Sequence, residues 1–446
     1  MSEQKENKYL IPFIALTSLF FMWGFMTVIV DAFVPRLKEV FELTQVKANM
    51  VQFAWFTAYG LISIPAGFLI SKIDYKRGIV VGLSVCAMGC LLFVPAATTR
   101  TFVFFLMALF TLASGITILQ VAANPFVAVL GPERTASSRL NLSQTFNSLG
   151  TFLGPIFAVT FLLSDEIKTS VEIDALADGA KELYYASEAA AVKGPFIYIS
   201  LFFLIMAGIF SFIKLPNILS DSDESEQSYA NFVKYPQLVL GMIGIFVYVG
   251  AEVAIGTNLI DYFLSMNLDK IVPENSVMNS IASFISRTFN GTELSEIDAK
   301  GVVGCFVIFY WGGAMIGRLI GTFLTRMFKP GYVLAGFTIG AITLLITTMM
   351  TTGLLSMWTA LAIGLFNSIM FPTIFTLALD GLGDFKPKAS GLLCTSIVGG
   401  AIIPPLLGLA SDSVGWKVAF IVPILCYLFI MFYGLRSTRK ANTSNA

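Results

Sequence analysis

Three carboxylates lie in otherwise apolar runs of this 446-residue chain, where an acidic group is costly and marks a candidate site. Glu252 sits well inside Phe246-Val-Tyr-Val-Gly-Ala-Glu-Val-Ala-Ile-Gly256. Asp31 ends the segment Trp23-Gly-Phe-Met-Thr-Val-Ile-Val-Asp31, and Asp261 falls near the outer end of the run that holds Glu252. In a low-dielectric cavity the charge on such a group is expensive. It can therefore bind and release a proton, or coordinate a cation, as solvent access changes. The competing readings are plainer: Asp31 and Asp261 reach headgroup water, and Glu252 hydrogen-bonds a neighbouring helix.

Uncharged polar groups recur at helical spacing around these positions. Asn141, Gln144, Ser148 and Thr151 share one stripe, with Asn147 three beyond Gln144. Gln120 and Asn124 are four apart, as are Trp23, Thr27 and Asp31. Gln52, Trp55 and Tyr59 form another stripe. Amides combine donors with acceptors and match vicinal hydroxyls. Trp and Tyr add apolar faces with a polar edge. Such a set suits a neutral polyol better than a charged ligand. Interhelical hydrogen bonding is the competing reading of any single amide.

The elements that must position these groups are long and apolar. Hydrophobic residues make up 56% of the chain and charged ones 13%, and the mean hydropathy is +0.80. A helix needs about 20 apolar residues to cross a hydrocarbon core. Twelve such stretches are expected, near 9–33, 48–70, 79–97, 101–129, 138–164, 194–215, 237–264, 300–320, 331–351, 354–379, 388–410 and 416–436. The fold class is all-α membrane protein, with twelve transmembrane helices in two six-helix bundles. Residues 1–215 form the first bundle, 216–236 an acidic, Ser-rich cytoplasmic linker, and 237–446 the second bundle. Segments 165–193 and 265–299 read as long polar loops, with room for short surface helices. Short basic turns, Ser71–Gly78 and Leu324–Gly331, follow the second helix of each half. A 6+6 repeat of this kind is typical of carriers whose halves rock about a midplane site.

Most of the 28 lysines and arginines fall on one side of this topology, which places both termini in the cytoplasm. Asp74 and Arg77, and Arg318 with Arg326, are candidate ionic latches at that inner side, although positive-inside charge alone accounts for them. Pro125, Pro155, Pro372, Pro404 and Pro405 can open helices near a cavity if the freed carbonyls find partners. Small residues at Gly313, Gly317 and Gly321, and at Gly150 and Gly154, would let helices approach closely. Net charge is zero and histidine is absent. That removes imidazole relays and Ser-His catalysis, and gives no reason to expect a nucleic-acid partner. The five cysteines lie in apolar spans. No metal cluster and no nucleophile–base pair is visible, so neither an enzyme nor a resident cofactor is expected.

The string Gln120-Val-Ala-Ala-Asn-Pro-Phe-Val-Ala-Val-Leu-Gly-Pro-Glu133, followed by Ser138-Arg-Leu-Asn-Leu-Ser-Gln-Thr-Phe-Asn-Ser-Leu-Gly150, resembles the fucose permease family. So do Phe21-Met-Trp-Gly-Phe, Asp31-Ala-Phe-Val-Pro35 and Val249-Gly-Ala-Glu252. These are sugar symporters of the major facilitator superfamily, and the resemblance runs over nearly the whole chain. It implies inner-membrane uptake of a monosaccharide with a cation, proton or sodium, by a chain able to work as a monomer. A helix 1 aspartate and a helix 4 glutamate serve coupling and substrate binding in that family. Asp31 matches the first. The second falls on Gln120, which does not titrate, as is common in the glucose/galactose branch. Trp23, Gln144 and Asn147 match sugar-contacting positions, with Asn124 beside them. Asp31, with help from Glu252, is the expected coupling group; an uncoupled facilitator, an exporter and a non-transporting sensor are the rivals.

Overall fold

A computed structural model describes residues 2–32, 45–99, 101–157, 178–216 and 228–443 of the chain. The first half comprises α1 (Ser2–Ala32), α2 (Gln45–Ile73), α3 (Tyr75–Thr99), α4 (Phe102–Val129), α5 (Ala136–Phe157) and α6 (Asp178–Phe212). The second half begins with α7 (Pro236–Ser265). It continues with α8 (Val307–Met327), led by a short turn of helix at Ala299–Gly304, and α9 (Pro330–Met350). The tenth span runs in two pieces, α10 (Gly353–Asn367) and α11 (Met370–Leu379). The eleventh does likewise, as α12 (Lys386–Thr395) and α13 (Gly399–Val414), and α14 (Ile421–Thr443) forms the last. Eleven of these spans are long and apolar enough to cross a bilayer within the described residues. The fifth, α5, carries the polar stripe and ends at Phe157, so the expected stretch 158–164 lies outside the described residues.

One expectation about loops changes and another holds. Residues 178–193 are helical rather than looped, because Ala-Lys-Glu-Leu-Tyr-Tyr-Ala-Ser-Glu-Ala-Ala-Ala is a run of strong helix formers that extends α6 beyond its apolar part. Between α7 and α8, Leu268–Glu274 and Ser276–Ile285 form the two short helices for which the sequence left room. Asn275 caps the second, its side chain accepting from the Val277 and Met278 amides.

Within the first half α3 packs on α4 and α6, and α1 packs on α5. Within the second, α7 packs on α11, α13 and α14, and α9 on α14. The halves meet where α5 crosses α8 and α11, and where α2 and α4 meet α12. The Cβ that Gly391 lacks would stand 2.5 Å from the Ser63 carbonyl oxygen and 3.2 Å from the Gly67 Cα. At this crossing α2 and α12 touch backbone to backbone, which is possible only without side chains.

Hydrogen bonds across the halves gather at the end that carries the basic loops. Ser137 and Thr376 hydroxyls lie 2.6 Å apart, and Ser138 donates to the Thr322 carbonyl at 2.7 Å. Asn141 reaches Thr373 at 3.4 Å, and from the linker Tyr229 donates to the Ile64 carbonyl of the first half at 2.7 Å. Ser390 donates to the Val121 carbonyl at 2.8 Å. The halves are therefore closed at this end. Below the closure lies a cleft of about 1010 Å³ lined by Glu133, Arg134, Arg326, Lys329, Asp380 and Lys386.

Candidate functional site

The polar stripes converge as helix packing dictates. On α4 and α5, Gln144 donates to the Asn124 side-chain oxygen at 3.4 Å. Asn124 is fully buried, and its amide nitrogen has no hydrogen-bond partner. A buried amide donor left unmet costs about 1–3 kcal/mol, so a nitrogen in this condition is one that a ligand hydroxyl can satisfy. Gln120, one turn earlier on α4, donates to the Tyr59 hydroxyl of α2 at 2.5 Å. Trp23 is 7% exposed and leans on Phe20, with ring centroids 5.4 Å apart.

Asn147 does a different job from its neighbours. Its amide nitrogen donates to the Phe20 carbonyl at 2.9 Å, where α1 and α5 cross at Gly24. The residue matched to a sugar contact thus also ties two helices together, which leaves its oxygen as the free polar atom. Asp31 belongs to the last turn of α1 by its backbone, but its side chain lies outside the described residues, as does that of Gln52. Asp261 is exposed at the end of α7, in keeping with an interfacial residue.

In the second half Glu252 is the centre of an aromatic and amide network. The Tyr310 hydroxyl donates to the Glu252 backbone carbonyl at 3.0 Å. Asn367 donates to the Tyr310 oxygen at 2.7 Å and accepts from the Tyr427 hydroxyl. Tyr248, one turn before Glu252, is buried with its hydroxyl facing the carboxyl. Spacing of four from Glu252 could have singled out Tyr248. Nothing in the sequence marks Tyr310, Asn367 and Tyr427 as partners, since they come from separate helices.

The latch candidates separate. Arg318 is not at the helix end expected to face inward, because α8 continues to Met327 and places it roughly 14 Å from that end. Its Nε donates to the Ser368 carbonyl at 3.1 Å, and one terminal nitrogen donates to the Ser148 hydroxyl of the opposite half. Pro372, four residues after Ser368, lacks an N–H, so that carbonyl is free to accept. Arg318 also acts electrostatically on Glu252. An arginine at this depth costs roughly 3 kcal/mol to insert, which these partners must offset. Arg326 stays on the cleft at the end that carries the basic loops.

Asp74 occupies the α2–α3 turn with φ of 82°, a left-handed conformation that Asp tolerates, and its carboxylate accepts from the Tyr75 amide at 2.6 Å. Burial raises its pKa against the opposing pull of the Tyr75 amide, Arg77 and Lys76. Arg77 is thus an electrostatic neighbour on the same turn rather than a bridge between halves. An ion pair that does cross the halves is Lys386–Glu133, at 3.8 Å. Beside it, burial and then the neighbouring Glu133 carboxylate push Asp380 above the usual carboxylate range, against the pull of Lys386. Among the described residues no group of His, Cys, Asp and Glu is placed to hold a metal.

Residues 13–396 match the Major Facilitator Superfamily profile. The chain is 46% identical over 436 residues to a glucose/galactose transporter of Brucella abortus, covering 98% of this chain and 96% of that one. It is 32% identical over 447 residues to the L-fucose-proton symporter of Escherichia coli, covering 98% and 96%. A crystal structure of the transporter FucP in the outward conformation superposes with a TM-score of 0.85 at 31% identity, over 96% of this chain and 99% of that one. The long apolar helices agree with these likenesses, and the chain belongs to the Major Facilitator Superfamily.

Proposed function

We propose that this protein takes up a monosaccharide, a hexose of the glucose/galactose or fucose type, by cation symport through alternating access. The observation that carries the reading is the buried Asn124 amide nitrogen, without a partner, in a residue whose oxygen accepts from Gln144, with Gln120 one turn away on the same helix. This is a neutral, donor-rich set that suits sugar hydroxyls. Gln120, Asn124, Gln144 and the free oxygen of Asn147 bind hydroxyls, and Trp23 offers an apolar platform. Asp31 and Glu252 are the coupling carboxylates. The relatives named for glucose/galactose transport and for L-fucose–proton symport support sugar as cargo and the proton as coupling ion. No cofactor beyond that ion is needed.

Residues 1–215 and 237–446 rock about the site, joined by the 216–236 linker. The chain works as a monomer in the cytoplasmic membrane with both termini inside. Glu133, Lys386, Asp380 and Arg326 then line the inner gate, with Asp74 and Arg77 on the adjoining turn.

Purified protein in liposomes, given labelled glucose, galactose and fucose under separate proton and sodium gradients, tests this. Uphill uptake of one sugar under one gradient, lost in Asp31→Asn or Glu252→Gln while downhill exchange survives, is the expected result. Downhill flux indifferent to both gradients would make the protein a facilitator and remove the coupling role.

A further inference from the structure

We propose that Phe289 is a gating residue, which closes with Phe152 of the opposite half across the way to the amide site. The proposal deepens the transport reading and rests on it for the direction from which sugar arrives. Helix α5 leaves the closed end at Ser137 and reaches Phe152 fifteen residues later, about 22 Å further along. There the Phe152 ring meets Phe289, which belongs to the segment between α7 and α8. The ring centroids are 5.9 Å apart and the planes cross at 73°, an edge-to-face pair. The halves therefore touch again at the far end of the same helix, well away from the hydrogen-bonded closure.

Helix geometry aims Phe152 in this direction. Gly150 and Gly154 flank it, two residues to either side, and both lie against α1. A Cβ at Gly150 would run into the Phe21 carbonyl oxygen, and one at Gly154 would stand 3.1 Å from the Val28 Cβ. At 3.6 residues per turn, the residue midway between them lies on the opposite face, away from α1. Ser148, one turn before Phe152, faces the second half, where Arg318 donates to it. Gln144 comes one turn earlier still. Phe152 thus continues the polar stripe of α5 toward the end away from the basic loops.

Phe289 is carried on a well-tied turn. The helix Ser276–Ile285 passes into a π-turn at Ser286–Asn290, which ends at Gly291 in the left-handed region, φ 70°. Turns of this kind are frequent at functional sites. The buried Ser286 hydroxyl donates to the Thr292 carbonyl at 2.9 Å. Arg287 donates to one Glu293 oxygen at 2.8 and 3.0 Å, and Glu293 and Glu296 form a capping box on Leu294–Glu296. Ser276–Ile285 packs on Leu268–Glu274, which packs on α7 and on Ala299–Gly304. Phe289 therefore travels with the second half and Phe152 with α5, so the pair forms or parts as the halves rock. When it forms, two apolar rings stand between the neutral amides and water.

The test uses the full-length protein in right-side-out membrane vesicles with one added thiol, Ser148→Cys, a turn below Phe152. The five native thiols are buried, so a membrane-impermeant methanethiosulfonate added outside reads this position. Phe152→Ala and Phe289→Ala should each speed modification roughly two- to tenfold, the weight of one aromatic pair. The double variant should be no faster than either single one, because both remove the same contact. Phe289→Tyr should keep the slow rate. Unchanged rates in both alanine variants, single effects that multiply in the double one, or fast modification of Phe289→Tyr would each overturn the inference. Modification needs no ion gradient. Wild-type protein that accumulates no sugar, beside a gate that behaves as expected, would count against the symport reading alone.

Discussion

The Ser390 hydroxyl donates to the Val121 carbonyl, 2.8 Å away across the boundary between the halves. Pro125, four residues after Val121, has no N–H for that carbonyl, so the opposite half supplies the missing donor. Ser390→Ala leaves a buried acceptor unmet and should cost the inner-closed state about 1–3 kcal/mol. The inner ends of α4 and α12 should then exchange amide hydrogens faster, by roughly fivefold or more. Unchanged exchange over 121–129 and 386–395 would show that the bond contributes nothing to closure.

Gly391→Ala tests the backbone contact at the α2–α12 crossing. The new methyl would meet the Ser63 carbonyl at 2.5 Å, with backbone on both sides and no flexible side chain to yield. Overpacking of this kind costs about 1–3 kcal/mol, roughly five- to a hundredfold in the population of the closed state. Uptake from outside should fall by that factor, and sugar binding to inside-out vesicles should persist. Equal loss in both orientations would mean that the variant is misfolded rather than trapped.

The amides should divide by role. Asn124→Ala and Gln144→Ala each remove a bond to the sugar and should raise KM, by about two- to tenfold for a bond of 0.5–1.5 kcal/mol. Asn147→Ala breaks the tie from α5 to the Phe20 carbonyl and should lower Tm in detergent more than it alters KM. A Gln144→Ala, Asn147→Ala double variant that binds sugar as well as wild type would count heavily against the proposed site.

Closure of the inner gate should depend on pH through Asp380. Its pKa is raised in the closed state by burial first and the Glu133 carboxylate second. When the gate opens and the group is solvated, it returns toward about 4. The closed state therefore holds a proton that the open state gives up. Acidification favours closure; the contribution is complete below the ordinary carboxylate value and lost as pH rises through the raised one. Asp380→Asn should keep the gate closed across that window, and inner-face labelling of a cysteine at Thr325 should no longer vary with pH there. A wild-type profile in the variant would assign the pH response to another group.

Much of the fold was legible because membrane spans are set by length and apolarity alone. The expectation that prolines would need partners for their freed carbonyls also held: Pro125 frees Val121 for Ser390, and Pro372 frees Ser368 for Arg318. The depth of Arg318 was not legible. It depends on where α8 ends, and a helix expected to stop at 320 continues to Met327. The apolar count underestimates such an end because polar residues extend the helix into the interface, as they also extend α6 at its start. Asn147 illustrates the other limit. Its spacing marked it as facing the site, but only the crossing of α1 and α5 shows that its nitrogen is already in use.

All five cysteines are buried: Cys86, Cys90, Cys305, Cys394 and Cys426. Water-soluble maleimides should therefore leave the native chain nearly unmodified, so it already serves as a quiet background for single reporter thiols. Probes at the gate can be introduced one at a time without stripping the native sulfurs, each of which fills core volume that serine would fill less well.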